Sequence, residues 1–166
     1  MARNSKEIIA CYAKVGSILT ALDIKGNSVD PAYAIAGGTI EDVYSGASAG
    51  STAGVRVNYG NMIALKTANG YFVYAHLSKI NIEKGSSVKA GDKIGEIGAT
   101  GLVNNAAHLH ISWLPNLGSF SWNWADSDEK NALCFFRESG IIDYSFSQGC
   151  NGCEANCSAG KLAQSC

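Results

Sequence analysis

Three histidines are the residues of this chain best suited to chemistry, and two of them stand one residue apart. In Ala106-Ala107-His108-Leu109-His110-Ile111-Ser112-Trp113 the alternation suits a β-strand, in which residues two apart project from the same face. Both imidazoles would then point into one pocket. The third, His76, lies in Tyr74-Ala75-His76-Leu77-Ser78, which is also strand-like. Imidazole serves as a metal ligand and as a proton carrier near neutral pH, so three of them on neighbouring strands can build either kind of site. The plainer reading is an H-x-H pair that simply faces solvent.

The elements that must position these rings read mainly as strands. They are expected at approximately 32–36, 39–44, 54–58, 61–67, 71–77, 88–89, 93–97 and 108–113. Asn69-Gly70, between two apolar runs, is a hairpin signal because both residues accept positive φ. Gly37-Gly38 and Gly91-Asp92 mark further reversals. Short strands at this spacing imply an antiparallel sheet or a sandwich. Before them, Ile8, Tyr12, Val15, Leu19 and Leu22 recur at three- and four-residue intervals and predict a helix over 5–22, with Asn4 and Glu7 as a capping box. Residues 114–149 read as an extension packed on the sheet, with a short helix at 127–138.

At 166 residues, 46% of them hydrophobic and 16% charged, the chain suits one domain with its own core. The 19 glycines point to a turn-rich β protein rather than a disordered one. A formal charge of -1 offers nothing to a polyanion, which argues against nucleic acid as a partner. No apolar run is long enough to span a bilayer. Met1-Ala2-Arg3-Asn4-Ser5-Lys6-Glu7 lacks the apolar stretch of a secretion signal.

Six cysteines stand at 11, 134, 150, 153, 157 and 166. Cys150, Cys153, Cys157 and Cys166 crowd a tail rich in Gly, Ser and Asn, which would need staples in place of a core. Disulfides are the favoured reading in an oxidising space, and a metal bound by the same four is the alternative in a reducing one.

From Asp23 to Ser112 the residues resemble the lysostaphin/LytM zinc metallopeptidases, which cut peptide crosslinks in bacterial peptidoglycan. The blocks that carry the likeness run in order. Asp23-Ile24 and Tyr33-Ala34-Ile35-Ala36-Gly37-Gly38-Thr39-Ile40 come first, then Asn58-Tyr59-Gly60-Asn61 and Gly70-Tyr71. Tyr74-Ala75-His76-Leu77-Ser78, Lys84-Gly85, Val88-Lys89-Ala90-Gly91-Asp92-Lys93-Ile94-Gly95 and Gly98-Ala99-Thr100-Gly101 follow, ending at His108-Leu109-His110. The resemblance implies a mainly β, compact antiparallel sheet fold over 23–113, to which the reading of the residues themselves adds the helix at 1–22, the 114–149 extension and the Cys-rich tail at 150–166. It also implies Asp23 and His110 as zinc ligands and His76 and His108 as the catalytic pair. A zinc held by three protein ligands keeps one position open, lowers the pKa of bound water and polarises the scissile carbonyl.

The chain departs from the family at Leu19, where the first zinc histidine is expected four residues before Asp23. No histidine lies upstream to replace it, and Cys11, two helical turns away on the helix reading, is a poor substitute. Ser112 also stands where the family often has an acid. With two protein ligands zinc is expected to bind weakly. Family members that lost zinc ligands serve as binding or regulatory domains. The resemblance therefore implies a degenerate endopeptidase-like domain, a structural or wall-binding component with peptidoglycan as partner. The alternative is an active endopeptidase with a non-standard third ligand. Lack of a signal suggests an extracellular or virion-associated setting, such as a phage tail, among virion or envelope proteins. An unrelated sugar-binding β domain, stacking carbohydrate on Trp113, Trp122 and Trp124, is the outsider.

Overall fold

The computed structural model of the chain describes residues 6–11, 21–48, 59–103, 106–114, 144–146, 157–158 and 161–162, the first and the last three segments by their backbone alone. All elements described are strands. The N-terminal pair is β1 (Lys6–Cys11) and β2 (Ala21–Lys25), followed by β3 (Pro31–Tyr33) and β4 (Gly38–Tyr44). The centre of the chain supplies β5 (Asn61–Thr67), β6 (Gly70–Leu77), β7 (Lys79–Ile80), β8 (Ser87–Val88) and β9 (Lys93–Glu96). Then come β10 (His108–Leu114), β11 (Tyr144–Phe146), β12 (Cys157–Ser158) and β13 (Lys161–Leu162).

An eight-stranded sheet runs in the order β11-β1-β2-β10-β6-β5-β4-β8, and a three-stranded sheet in the order β3-β9-β7. Every pairing is antiparallel except that of β1 with β11. The expected antiparallel β fold is therefore what forms. The helix expected over 5–22 falls partly outside the described residues. Within it Lys6–Cys11 is strand β1, paired with β2, and Ala21 and Leu22 already belong to β2. The apolar run Ile8-Ile9-Ala10-Cys11 fits a ladder as well as a helical stripe, and the open edge of β2 decides between them. The strand at 54–58, the helix at 127–138 and the cysteine pairing of the tail lie outside the described residues. Of the 114–149 extension, β11 is described, and it adds a strand beside β1.

The hairpin expected at Asn69-Gly70 closes one residue earlier. Thr67 pairs with Gly70, Ala68 and Asn69 form the turn, and of these only Gly70 takes positive φ, at 109°. Thr67 Oγ1 accepts the Asn69 N–H at 3.1 Å and donates to Gly70 O at 2.9 Å, which fixes the reversal.

Alternation along β10 divides the molecule. Leu109, Ile111 and Trp113 join Leu22, Ile24, Ile63, Leu65, Phe72 and Tyr74 in the main core, to which the small sheet adds Ala32 and Ile94. Each Leu, Ile or Phe side chain fully buried there contributes roughly 1.5–3 kcal/mol. Trp113 stacks on Phe72 with centroids 5.8 Å apart and donates its indole N–H to Asn69 O at 2.8 Å. That removes Trp113 from the sugar-stacking reading: its ring faces are used in the core and its polar edge is satisfied. Trp122 and Trp124 lie outside the described residues. On the other face of the large sheet, Tyr59, Met62, Ala64, Val73, Ala75 and Leu114 form a smaller cluster. His108, His110 and Ser112 share that side of β10.

Candidate active site

His110 is in register with Asp23 on β2 and with Ala75 on β6, so the adjacent strands bring the carboxylate beside the ring. Asp23 is almost fully buried. Its Oδ1 lies 2.8 Å from His110 Nδ1, and its Oδ2 lies 3.4 Å from His108 Nε2, so one carboxylate spans two imidazoles. His108 Nδ1 donates to Ala106 O at 2.8 Å, because a carbonyl can only accept. In neutral His108 the basic nitrogen is therefore Nε2, the one facing Asp23.

His76 reaches the same pocket by a different route. Between β5 and β6 the register shifts, with Asn61 opposite Leu77 but Ile63 opposite Tyr74, so β6 carries one extra residue there. His76 takes a left-handed φ of 60° within this bulge. For a non-glycine residue that conformation is uncommon and costs on the order of 1–3 kcal/mol, so its surroundings must hold it. His76 N–H donates to Tyr59 O at 2.8 Å and its Nδ1 donates to Thr100 O at 2.9 Å. Thr100 is fixed in turn: its Oγ1 donates to Leu77 O at 2.8 Å and accepts the Asn61 N–H at 3.0 Å. Gly60, at φ 66°, lets the chain pass so close that a Cβ there would lie 2.3 Å from Thr100 O. The bulge swings the His76 ring to 4.8 Å from that of His108 and 5.6 Å from that of His110, centroid to centroid. Burial, reinforced by His110, pulls the His76 pKa down from 6.5 to about 4, so the ring stays neutral with its lone pair on Nε2.

The four residues singled out from the sequence, Asp23, His76, His108 and His110, thus meet in one pocket on the face of the sheet opposite the main core. Tyr59 closes it with its ring edge-on to His110 at 5.5 Å. What sequence reasoning missed is the supporting set. Thr100 and Tyr59 were visible only as members of family-like blocks, and nothing in Tyr74-Ala75-His76 announces a bulge. Leu19 lies outside the described residues. Cys11, the weak candidate for a third donor, is in register with Leu22, whereas the residue opposite Asp23 is Ala10.

A tetrahedral zinc with bonds of about 2.0–2.2 Å holds its ligand atoms roughly 3.3 Å apart. Asp23 Oδ1 and His110 Nδ1 are 2.8 Å apart, a hydrogen-bond distance with a proton between them. Among the described residues no group of three or more His, Cys, Asp or Glu is disposed to hold a metal ion. Asp23 and His110 alone are fewer donors than the three a catalytic zinc takes, and the third position, expected at Leu19 from the sequence, lies outside the described residues. What the pocket can do is bind: it offers the neutral His76 ring, the His108 ring and a carboxylate in a buried setting.

An antiparallel β scaffold thus brings the H-x-H pair, an aspartate and a bulged histidine together in one pocket. Residues 17–119, more than half of the chain, match Peptidase family M23, and the chain belongs to that family. It is 32% identical over 108 residues to the lipoprotein NlpD/LppB homolog of Pseudomonas aeruginosa, a match spanning 64% of this chain and 33% of that protein. It is 50% identical over 52 residues to the glycyl-glycine endopeptidase ALE-1 of Staphylococcus capitis, covering 31% of this chain and 14% of the other. Among solved structures, lysostaphin from Staphylococcus simulans superposes with a TM-score of 0.56 at 30% identity, over 74% of this chain and 45% of that one. The chain therefore matches a third or less of these two curated relatives.

Proposed function

We propose that this chain is a non-catalytic member of its family, a module of the cell envelope that binds peptidoglycan peptide without cutting it. The observation that carries this reading is the direct Asp23–His110 hydrogen bond at 2.8 Å, in a chain with leucine at position 19. The two groups that would hold the metal hold each other instead. Without a third protein ligand, zinc exchanges readily and activates water only part of the time. The pocket keeps its shape and its polar groups, which suits recognition of an extended peptide.

The second reading, a working endopeptidase with a non-standard third ligand, draws on one observation. His76 is held at a φ of 60° at a cost in stability, and strain of this kind clusters at functional sites. Peptide binding also uses such a site, so the strain supports function without choosing between the two.

Turbidity of purified cell walls separates the readings. The unmodified protein is expected to co-sediment with walls and leave turbidity unchanged, with or without added zinc. Clearing that a chelator abolishes would overturn the proposal. Leu19→His, assayed beside it with metal content, is expected to raise bound zinc towards one equivalent if the side chain turns inward.

A further inference from the structure

Burial along the ladder of β2 and β10 shows which end of the pocket is open. Ser112 is fully buried opposite Ala21, His110 and Asp23 are almost so, and His108 is slightly more accessible. The last pair of the ladder joins His108 to Lys25, and Lys25 is exposed. Leu22 and Ile24 enter the main core, so Asp23 and Lys25 take the opposite face of β2, the face of the histidines. An ammonium group thus stands at the mouth of the pocket.

The turn at 26–30 follows directly. In it Val29 holds a φ of 70° and is 67% exposed, the most exposed large hydrophobic side chain among the described residues. For a β-branched residue the left-handed region is an outlier that lowers stability. Burial offsets little of that cost. The backbone is nevertheless locked: Val29 N–H donates to Ile97 O at 2.9 Å, Ile97 N–H donates to Asp30 O at 2.8 Å, and the Asp30 carboxylate accepts the Asn27 N–H at 2.8 Å. Gly98, next to Ile97, bridges to His108, which fastens this turn beside the same end of the pocket as Lys25.

We infer that Lys25 and Val29 form a lip that selects the peptide entering the pocket: one bearing a carboxylate beside small apolar side chains, rather than an uncharged one. The inference rests on the peptide-binding reading above and names the class of peptide. Asp23 puts a buried carboxylate further in, so the ligand's own carboxylate is kept at the mouth, where the lysine meets it. Val29 presents an apolar surface there, and a methyl group resting on it withdraws both from water.

The test measures sedimentation of the full chain with purified cell walls, either untreated or with their carboxylates converted to amides by carbodiimide and ammonium. Lys25→Met is expected to bind untreated walls about two- to fivefold more weakly, the scale of one exposed ion pair, and to bind amidated walls as well as the unmodified protein does. Lys25→Arg keeps the charge and should bind like the unmodified protein. Lys89→Met, at an exposed lysine on the 89–92 turn, should also leave binding unchanged. Equal losses for Lys25→Met and Lys89→Met would overturn the inference, because bulk charge would explain them. So would a Lys25→Met loss that survives amidation, because wall phosphate would then be what the lysine meets.

Val29→Asn gives a second measurement in which stability and binding move in opposite directions. Asparagine accepts the left-handed backbone, so Tm should rise by about 2–4 °C. Wall binding should fall roughly fourfold, the equivalent of one CH2 left in water. A rise in Tm with binding unchanged, or a fall in Tm, would overturn the role given to Val29. Unmodified protein that stays in the supernatant would overturn this inference and the proposed function together. Sedimentation that Lys25→Met and Val29→Asn both leave unchanged would overturn the inference alone.

Discussion

His76 is where a single residue has most to say about stability. In the unfolded chain its imidazole takes a proton near pH 6.5, and in the folded protein burial and the neighbouring His110 delay this to about 4. Between those values the unfolded form binds more protons, so stability present above pH 6.5 is lost as the pH falls towards 4. The full shift corresponds to roughly 3 kcal/mol, or about 6–12 °C in Tm for a chain of this size. Other groups titrate in the same range, so the comparison that isolates His76 is His76→Asn. Asparagine tolerates the left-handed backbone and its amide can donate to Thr100 O. The variant is expected to lose the steep part of the Tm-against-pH curve between about 6.5 and 4. An unchanged slope would mean that His76 is not the group responsible. At this scale the sequence was informative about identity and silent about geometry. H-x-H on a strand forecast two rings on one face, and the strand period delivers that. The third ring arrives through a bulge, which depends on how β5 and β6 pair rather than on residues near His76.

The elements repeat this contrast. Strands at the sheet centre were legible to within a residue, as in 61–67 for Asn61–Thr67 and 108–113 for His108–Leu114. Their apolar runs are bounded by turn residues, and both faces are covered. The two-residue β7 left no pattern, and Lys6–Cys11 carried one that suits two structures. What joins the elements to the site is the close pass of Gly60 against Thr100. A Cβ at Gly60 would meet the Thr100 carbonyl carbon and oxygen at 2.4 and 2.3 Å, backbone atoms that cannot step aside, at a φ of 66°. Gly60→Ala is expected to destabilise the protein by about 2–4 kcal/mol, combining a clash with left-handed strain. Because Thr100 O holds His76, the damage should reach the pocket: the His76 NMR signals should shift even where the variant stays folded. Urea unfolding measures the first effect. A loss below about 0.5 kcal/mol, the range of an ordinary surface change, would mean that the loop relaxes freely and does not brace the site.

For the molecule as a whole, family membership was legible because the blocks fall in order along the chain, and the pairing of strands explains why order matters: β2, β10 and β6 must be neighbours for Asp23, His110 and His76 to meet. Metal dependence is the property in which this chain should part from a zinc-holding relative. A ligand present at a thousand times its Kd stabilises a fold by about 4 kcal/mol, which for a chain of this length raises Tm by roughly 8–16 °C. If Asp23 and His110 are closed on each other, zinc must break a buried hydrogen bond to enter and finds only two donors there. The unmodified protein is therefore expected to change its Tm by less than about 2 °C on addition of roughly 100 μM zinc, and by less again on chelation. The tail cysteines, expected from the sequence to form disulfides or to share a metal, have to be told apart from the pocket. Asp23→Asn distinguishes them, since any shift that survives it comes from elsewhere. A rise of 8 °C or more that Asp23→Asn abolishes would mean that the pocket holds zinc tightly, and both the closed pair and the non-catalytic reading would then fall together.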